Sequence, residues 1–431
     1  MQLFTSIRTS KYELLLFALI LCFTLLAVSR EVHAGPPQES TSASTLLGFG
    51  QLSSFDFDNN VSIDVVLPEN YEKGSKRRYP VIFILDAQRY LLLPMAYQSV
   101  LTWKAYSPEF IVVGIKTDGM NRRKTLGKDA SNLIRTIEKD IIPFIDGRFD
   151  TNSLRVLFGW EKAAGFSVEL MSKHPSLFNA YLFASGTFFT KPRLQALETT
   201  LRSKGMENKF VYFTLDEKET WALEENRALE KLLHNYQNIT SKFELFTDKN
   251  HYSTPLVTIN NGLSLFLESY PPLRFYSLKD FEKFGGLSKV KQYYVHRGKR
   301  YKTSHEVHEQ TIHYLLNQAV NEKNFEVFSY INNAFPSFIE NYGYRPVFIK
   351  KFAQFCADNK HTRLAKNIYN IGINKHKTAY KLHESLGDLL ANTNEVQEAI
   401  RHYNIAKSIL VKNAMESDVT RLNNKLSLVS K

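Results

Sequence analysis

Cysteine is nearly missing from this chain, which holds two in 431 residues, Cys22 and Cys356. Cys22 lies inside an N-terminal apolar segment, so the rest of the chain keeps one thiol and can form no internal disulfide. Stability must therefore come from packed cores, for which 43% hydrophobic residues are enough. A membrane-spanning run is missing too: the apolar stretch Leu14–Val28 has about 15 residues, short of the roughly 20 that a spanning helix needs. Although the formal net charge is +12, no basic stripe interleaved with aromatics occurs. Nucleic acid is therefore not an expected partner, and the excess charge reads as a solvated surface.

Arg8 and Lys11 precede the apolar stretch, and Val32-His33-Ala34 forms a small-residue cleavage site. Residues 1–34 are expected to be a secretory signal peptide, which makes the protein exported, periplasmic or secreted. Membrane contact is expected only if that segment stays uncleaved. No small residue precedes Cys22, so lipid attachment there is not expected. Residues 35–46, GPPQESTSASTL, read as a Pro/Ser/Thr linker with nothing to bury.

Strand-length apolar runs then recur at 61–67, 80–86, 109–115, 154–159, 179–185, 209–215 and 242–246. Segments of helical period lie between the later ones, such as 130–145 with Leu133, Ile134, Ile137, Ile141 and Ile142 on one face. Continuous apolar strands alternating with amphipathic helices specify an α/β domain with a mostly parallel, doubly wound sheet. That domain is assigned to residues 47–272, closing at Pro271-Pro272. Residues 273–304 are polar, aromatic and basic, and read as a connecting helix pair.

From residue 305 to 431 the pattern is all-α and repeats. Ala353 and Gly387, Ala365 and Ala399, Tyr369 and Tyr403, and Gly372 and Ala406 are each 34 residues apart. Small residues recur where two antiparallel helices would touch, with an aromatic filling the space between them. The spacing, with Leu386-Gly387-Asp388-Leu389 and Tyr403-Asn404-Ile405-Ala406, resembles tetratricopeptide repeats. Two good repeats, a degenerate one upstream containing Ala319, and a polar capping helix near 418–428 are expected. The resemblance implies a protein partner.

The chemistry centres on 153–186, which reads as strand, sharp turn, helix and strand. Its turn, Gly159-Trp160-Glu161-Lys162-Ala163-Ala164, has the small residues that a nucleophile elbow needs. It lacks the serine: Glu161 stands in that slot. Ser167 lies six residues on, inside the helix, and is a poor substitute. The following HPSLFNAYLFASG, together with YPVIFILDA at 79–87, IVVGI at 111–115 and EKDIIPFID at 138–146, resembles esterases of the esterase D family over roughly 48–270.

That resemblance implies an α/β-hydrolase fold, a possible small ester-like ligand, and roles for specific residues. Asn250-His251-Tyr252-Ser253-Thr254-Pro255 is similar to the family's catalytic-histidine loop, which makes His251 the base. Asp216 or Glu217, after the strand at 209–215, would be the acid. Backbone amides of Lys162 and Ala87 would form the oxyanion hole. No cofactor or metal is implied.

Glu161 admits three readings: a working ester hydrolase that uses Glu161 as a covalent nucleophile or else an unrecognised group, a pseudoenzyme acting as a binding or scaffolding module, which is the favoured reading, or a bystander in a structural platform whose repeats carry the function. Against the first, glutamate is long for the position. Facing His251, it would also form an ion pair that favours imidazolium and removes the base.

Overall fold

The computed structural model describes residues 37–46, 50–57, 60–118, 121–202, 206–413 and 416–429, so the expected signal peptide lies outside the described residues. Two compact units emerge, one running up to Val100 and resuming over Glu109–Phe266, the other from Leu267 onward together with Leu101–Pro108. No helix among the described residues is long and apolar enough to cross a membrane.

The first unit is built on a nine-stranded sheet: β1 (Gln38–Leu46), β2 (Gly50–Phe57), β3 (Val61–Leu67), β4 (Tyr79–Leu85), β5 (Ile111–Ile115), β6 (Thr151–Trp160), β7 (Ala180–Ala184), β8 (Lys209–Asp216) and β9 (Ile239–Phe246). Their order across the sheet is β1-β2-β3-β5-β4-β6-β7-β8-β9. From β5 to β9 every pairing is parallel, whereas β1, β2 and β3 add on antiparallel. Every residue of β4, β5, β7 and β8 is buried, as expected for strands covered on both faces. β9 carries Lys242 and Glu244 on an open edge, where charge discourages further pairing.

Two departures from the sequence reading stand at the other edge. Residues 38–46, expected to be part of a linker, form β1, and β2 pairs residue by residue with β3 from Gln51↔Leu67 to Phe57↔Val61. Neither strand carries the continuous apolar run of the central strands. Backbone pairing, β1 onto β2 and β2 onto β3, holds both in the sheet.

The order β5-β4-β6 positions the site. After β4 the chain crosses to β5 on one side, and from β5 it returns to β6 on the other. The carboxyl ends of β4 and β6 therefore flank a topological switch point, where the loops diverge. The return to β6 is the expected amphipathic helix with one change. Regular helix (Ala130–Thr136) gives way to a π-helical turn over Ile137–Ile141 before resuming over Ile142–Arg148. Pro143 has no N–H with which to continue the regular ladder, and the wider turn keeps Ile137 and Ile141 both fully buried.

The second unit is helical. Leu278–Phe284 and Gly286–Tyr301, expected as a connector, contribute Leu278, Phe281, Leu287, Val290 and Tyr294 to its core. They therefore belong to this unit rather than linking to it. The helices that follow are α1 (Glu309–Asn321), α2 (Phe325–Ala334), α3 (Phe338–Asn341), α4 (Pro346–Asp358), α5 (Thr362–Lys375), α6 (Tyr380–Asn392), α7 (Val396–Lys412) and α8 (Glu416–Val429). α4 and α6 start 34 residues apart, as do α5 and α7. Upstream the period lengthens: α1 precedes α4, and α2 precedes α5, by 37 residues, with the short α3 between the pairs. Leu316, rather than Ala319, thus holds the place in α1 that Ala353 holds in α4.

Candidate active site

β6 ends at Trp160, and a helix begins at Lys162 (Lys162–Lys173). Only Glu161 separates them, in the strained conformation φ 55°, ψ −119°. A strand running straight into a helix requires such a residue at the bend. Gly159 is required beside it, because a Cβ there would stand 2.7 Å from the carbonyl of Ala163. The turn is fixed by Glu161 N–H donating to Ala184 O at 3.0 Å, and by Ala164 and Thr187 N–H groups donating to Glu161 O at 3.0 and 3.2 Å. Ser167 is fully buried in the helix and donates its hydroxyl to Ala163 O at 2.8 Å.

The Glu161 carboxylate is held from two sides. Arg122 Nη1 donates to Oε2 at 2.8 Å and Lys162 Nζ to Oε1 at 3.1 Å. Burial alone would raise the carboxyl pKa. The two cationic donors outweigh burial and hold Glu161 below its ordinary range. Arg122 is itself anchored by the buried Asp86, with Nε on Oδ1 at 2.7 Å and Nη2 on Oδ2 at 2.8 Å. Thr117 also donates to Asp86, and Gln88 Nε2 supports Thr117 at 2.9 Å. The Arg122 guanidinium lies 5.4 Å from the Trp160 ring and donates to Trp160 O at 3.1 Å. Burial disfavours the Arg122 charge, but the two carboxylates more than offset this and raise its pKa.

His251 is placed on the loop after β9. Trp160 Nε1 donates to its carbonyl at 3.0 Å, and the two rings lie 4.8 Å apart. Its Nδ1 is 2.5 Å from Oε1 of Glu219, a carboxylate only 1% exposed. Glu219 Oε2 accepts from Ser185 Oγ at 2.6 Å and from Asp216 N–H at 3.1 Å. Burial would raise the Glu219 pKa, but its bonds to His251, Ser185 and the Asp216 amide bring it below the ordinary value.

The acid that orients His251 is therefore Glu219, and neither Asp216 nor Glu217 takes the part. Asp216 completes β8 with its carboxylate buried and Oδ1 unpartnered; Glu217 is exposed and donates its backbone N–H to Phe246 O at 2.8 Å. Reaching the loop after β9 takes the extra turn between Asp216 and the helix Thr220–His234, and Glu219 stands at that helix's N-cap. Three acids in four residues gave no way to choose among them from sequence.

The expected Glu161–His251 pair is not made as a direct contact among the described residues. Arg122, which the sequence reading missed, takes that role. Lys162 and Ala87 each open a helix, Lys162–Lys173 and Ala87–Tyr90, whose first-turn amides have no acceptor inside the helix. Among the described residues no group of three His, Cys, Asp or Glu side chains could hold a metal ion.

A parallel sheet flanked by helices, with a strained elbow at its switch point and a His–Glu pair on later loops, defines the first unit as an α/β-hydrolase domain. Residues 54–252 match the family model described as "Putative esterase". Among solved structures, an uncharacterised protein from Capnocytophaga ochracea matches over 90% of this chain and 100% of its own, with 13% identity and a TM-score of 0.53. An IroE-like serine hydrolase from Shewanella oneidensis matches over 63% of this chain and 93% of its own, with 17% identity and a TM-score of 0.49. A siderophore hydrolase from Aspergillus nidulans matches over 55% of this chain and 100% of its own, with 18% identity and a TM-score of 0.43. The Capnocytophaga protein shares the fold across both units. No curated protein matches the sequence.

Proposed function

We propose that the first unit is an esterase-type domain without its nucleophile, which binds a small ester-like ligand and does not hydrolyse it. One observation carries this reading: both carboxylate oxygens of Glu161, at the apex of the elbow, are bound by Arg122 and Lys162. A carboxylate neutralised by two cations is a poor nucleophile. The rival reading, a hydrolase using Glu161 covalently, requires those two bonds to break first.

The His251–Glu219 pair supplies the test, because the orienting acid and the base are still in place. Wild-type protein should leave short p-nitrophenyl esters at the buffer rate, whereas Glu161→Ser should acquire turnover that His251→Ala abolishes. Saturable wild-type turnover lost in both Glu161→Gln and His251→Ala would overturn the proposal.

The second unit is read as a tetratricopeptide-repeat module that docks a protein partner. Support comes from the repeated helix starts and from a repeated contact. Tyr403 donates to Asp388 at 2.8 Å, and 34 residues earlier Tyr369 donates to Gln354 at 3.5 Å. Export is read from residues 1–34. Protein recovered outside the cytoplasm with its first residue near Gly35 would support it, and an intact Met1 terminus on cytoplasmic protein would refute it.

A further inference from the structure

A groove of about 730 Å³ runs between α1 and α4, continuing onto Lys323 just past the end of α1. Its apolar floor is Val320, Val347 and Phe355, with Val347 63% exposed. Above this floor stand Lys323, Lys350 and Lys351. The groove's carboxylate, Asp358, already accepts from Gln354 Nε2 at 2.8 Å.

Lys351 is the informative residue. Its ammonium donates to Asn317 Oδ1 and Asn321 Oδ1, both at 2.7 Å, and these one-turn-spaced amides of α1 fix its position without neutralising it. Burial lowers its pKa with no anion to oppose the effect. Among the described residues Lys323 and Lys350 also form no ion pair. A cation is thus held by neutral acceptors at an open apolar groove, whereas the partly buried Arg122 and Arg193 are paired with acids.

We propose that the α1–α4 groove receives an extended acidic polypeptide segment, whose carboxylates pair with Lys323, Lys350 and Lys351 while its apolar side chains cover Val347 and Phe355. The +12 chain is itself a poor match for this groove, so charge complementarity favours a foreign acidic partner over a second copy. This proposal rests on reading the second unit as a protein-docking module.

The test uses the full chain and labelled peptides of equal length that are Asp/Glu-rich, Ser/Gln-rich or Lys-rich, each with interspersed leucines, followed by fluorescence anisotropy. The acidic peptide should bind saturably and more weakly as salt rises. Lys351→Gln and the surface variant Lys350→Gln should each weaken it by about tenfold, while Lys279→Gln, on another helix, should not. Unchanged thermal melts of the Lys350 variant would separate lost binding from lost folding. Neutral-peptide binding that exceeds acidic binding would overturn the acidic assignment and leave the docking reading standing. Binding of none of the three would overturn both, and acidic binding unaffected by Lys350→Gln and Lys351→Gln would remove the groove as its site.

Discussion

Glu219 is bound by donors from three parts of the chain: His251 on the loop after β9, Ser185 after β7, and the Asp216 amide at the end of β8. Removing such a buried carboxylate strands all three donors. Glu219→Ala should therefore cost about 3 kcal/mol, read as a lower urea midpoint with an unchanged slope. A loss below about 1 kcal/mol would mean that water replaces the carboxylate freely. The strand-to-helix turn at Glu161 was legible in sequence because it depends on neighbouring residues. Glu219 and Arg122 were not, because each meets its partners only when loops from separate strands converge at one sheet edge. Glu161 and Glu219 both have lowered pKa values, so their contribution is complete above the unfolded carboxyl value of about 4.3 and is lost as pH falls through the folded values.

At the scale of elements, the central strands were read correctly because burial on both faces writes a continuous apolar run. The edge strands β1 and β2 leave no such mark; backbone pairing fixes them. In the helical unit, the 34-residue period shows directly because small residues sit where helices touch. A Cβ on Gly387 would approach Tyr403 Cε1 to 2.7 Å, and that ring is buried. Gly387→Ala should therefore destabilise by about 1–2 kcal/mol, overpacking outweighing the better helix propensity. Gly147, in the helix Ile142–Arg148, has no atom within 4 Å of the equivalent position. Gly147→Ala should stabilise by about 0.5–1 kcal/mol from propensity alone. Equilibrium denaturation of the two variants side by side checks this, and the same sign for both would show that contact does not decide the outcome.

Across the whole molecule, the groups that disfavour mild acid are unevenly divided. His308 and His383 both have pKa values lowered to about 4, principally by burial, with Arg297 and His402 respectively adding to the shift. His402, whose Nδ1 is 3.0 Å from that of His383, is lowered too, as is His313. All four belong to the second unit. Each folded value lies below the unfolded value of about 6.5, so the unfolded chain binds protons first as pH falls. Their stabilising contribution is complete above about pH 6.5 and is lost as pH falls through the folded values, which lie at about 4 for His308 and His383. The depressed carboxyls of the first unit, Glu161, Glu169, Glu219 and Glu244, give up their contribution only at lower pH. Between pH 7 and pH 5 the helical unit should therefore weaken while the hydrolase unit holds. Tryptophan allows the two to be followed separately: the buried Trp160 lies in the first unit, and the already exposed Trp103 and Trp221 should change little on unfolding. On acidification, the melt followed by helical circular dichroism should move to lower temperature more than the melt followed by tryptophan fluorescence. Equal shifts in both signals would contradict this division, and His383→Asn should reduce the gap between them.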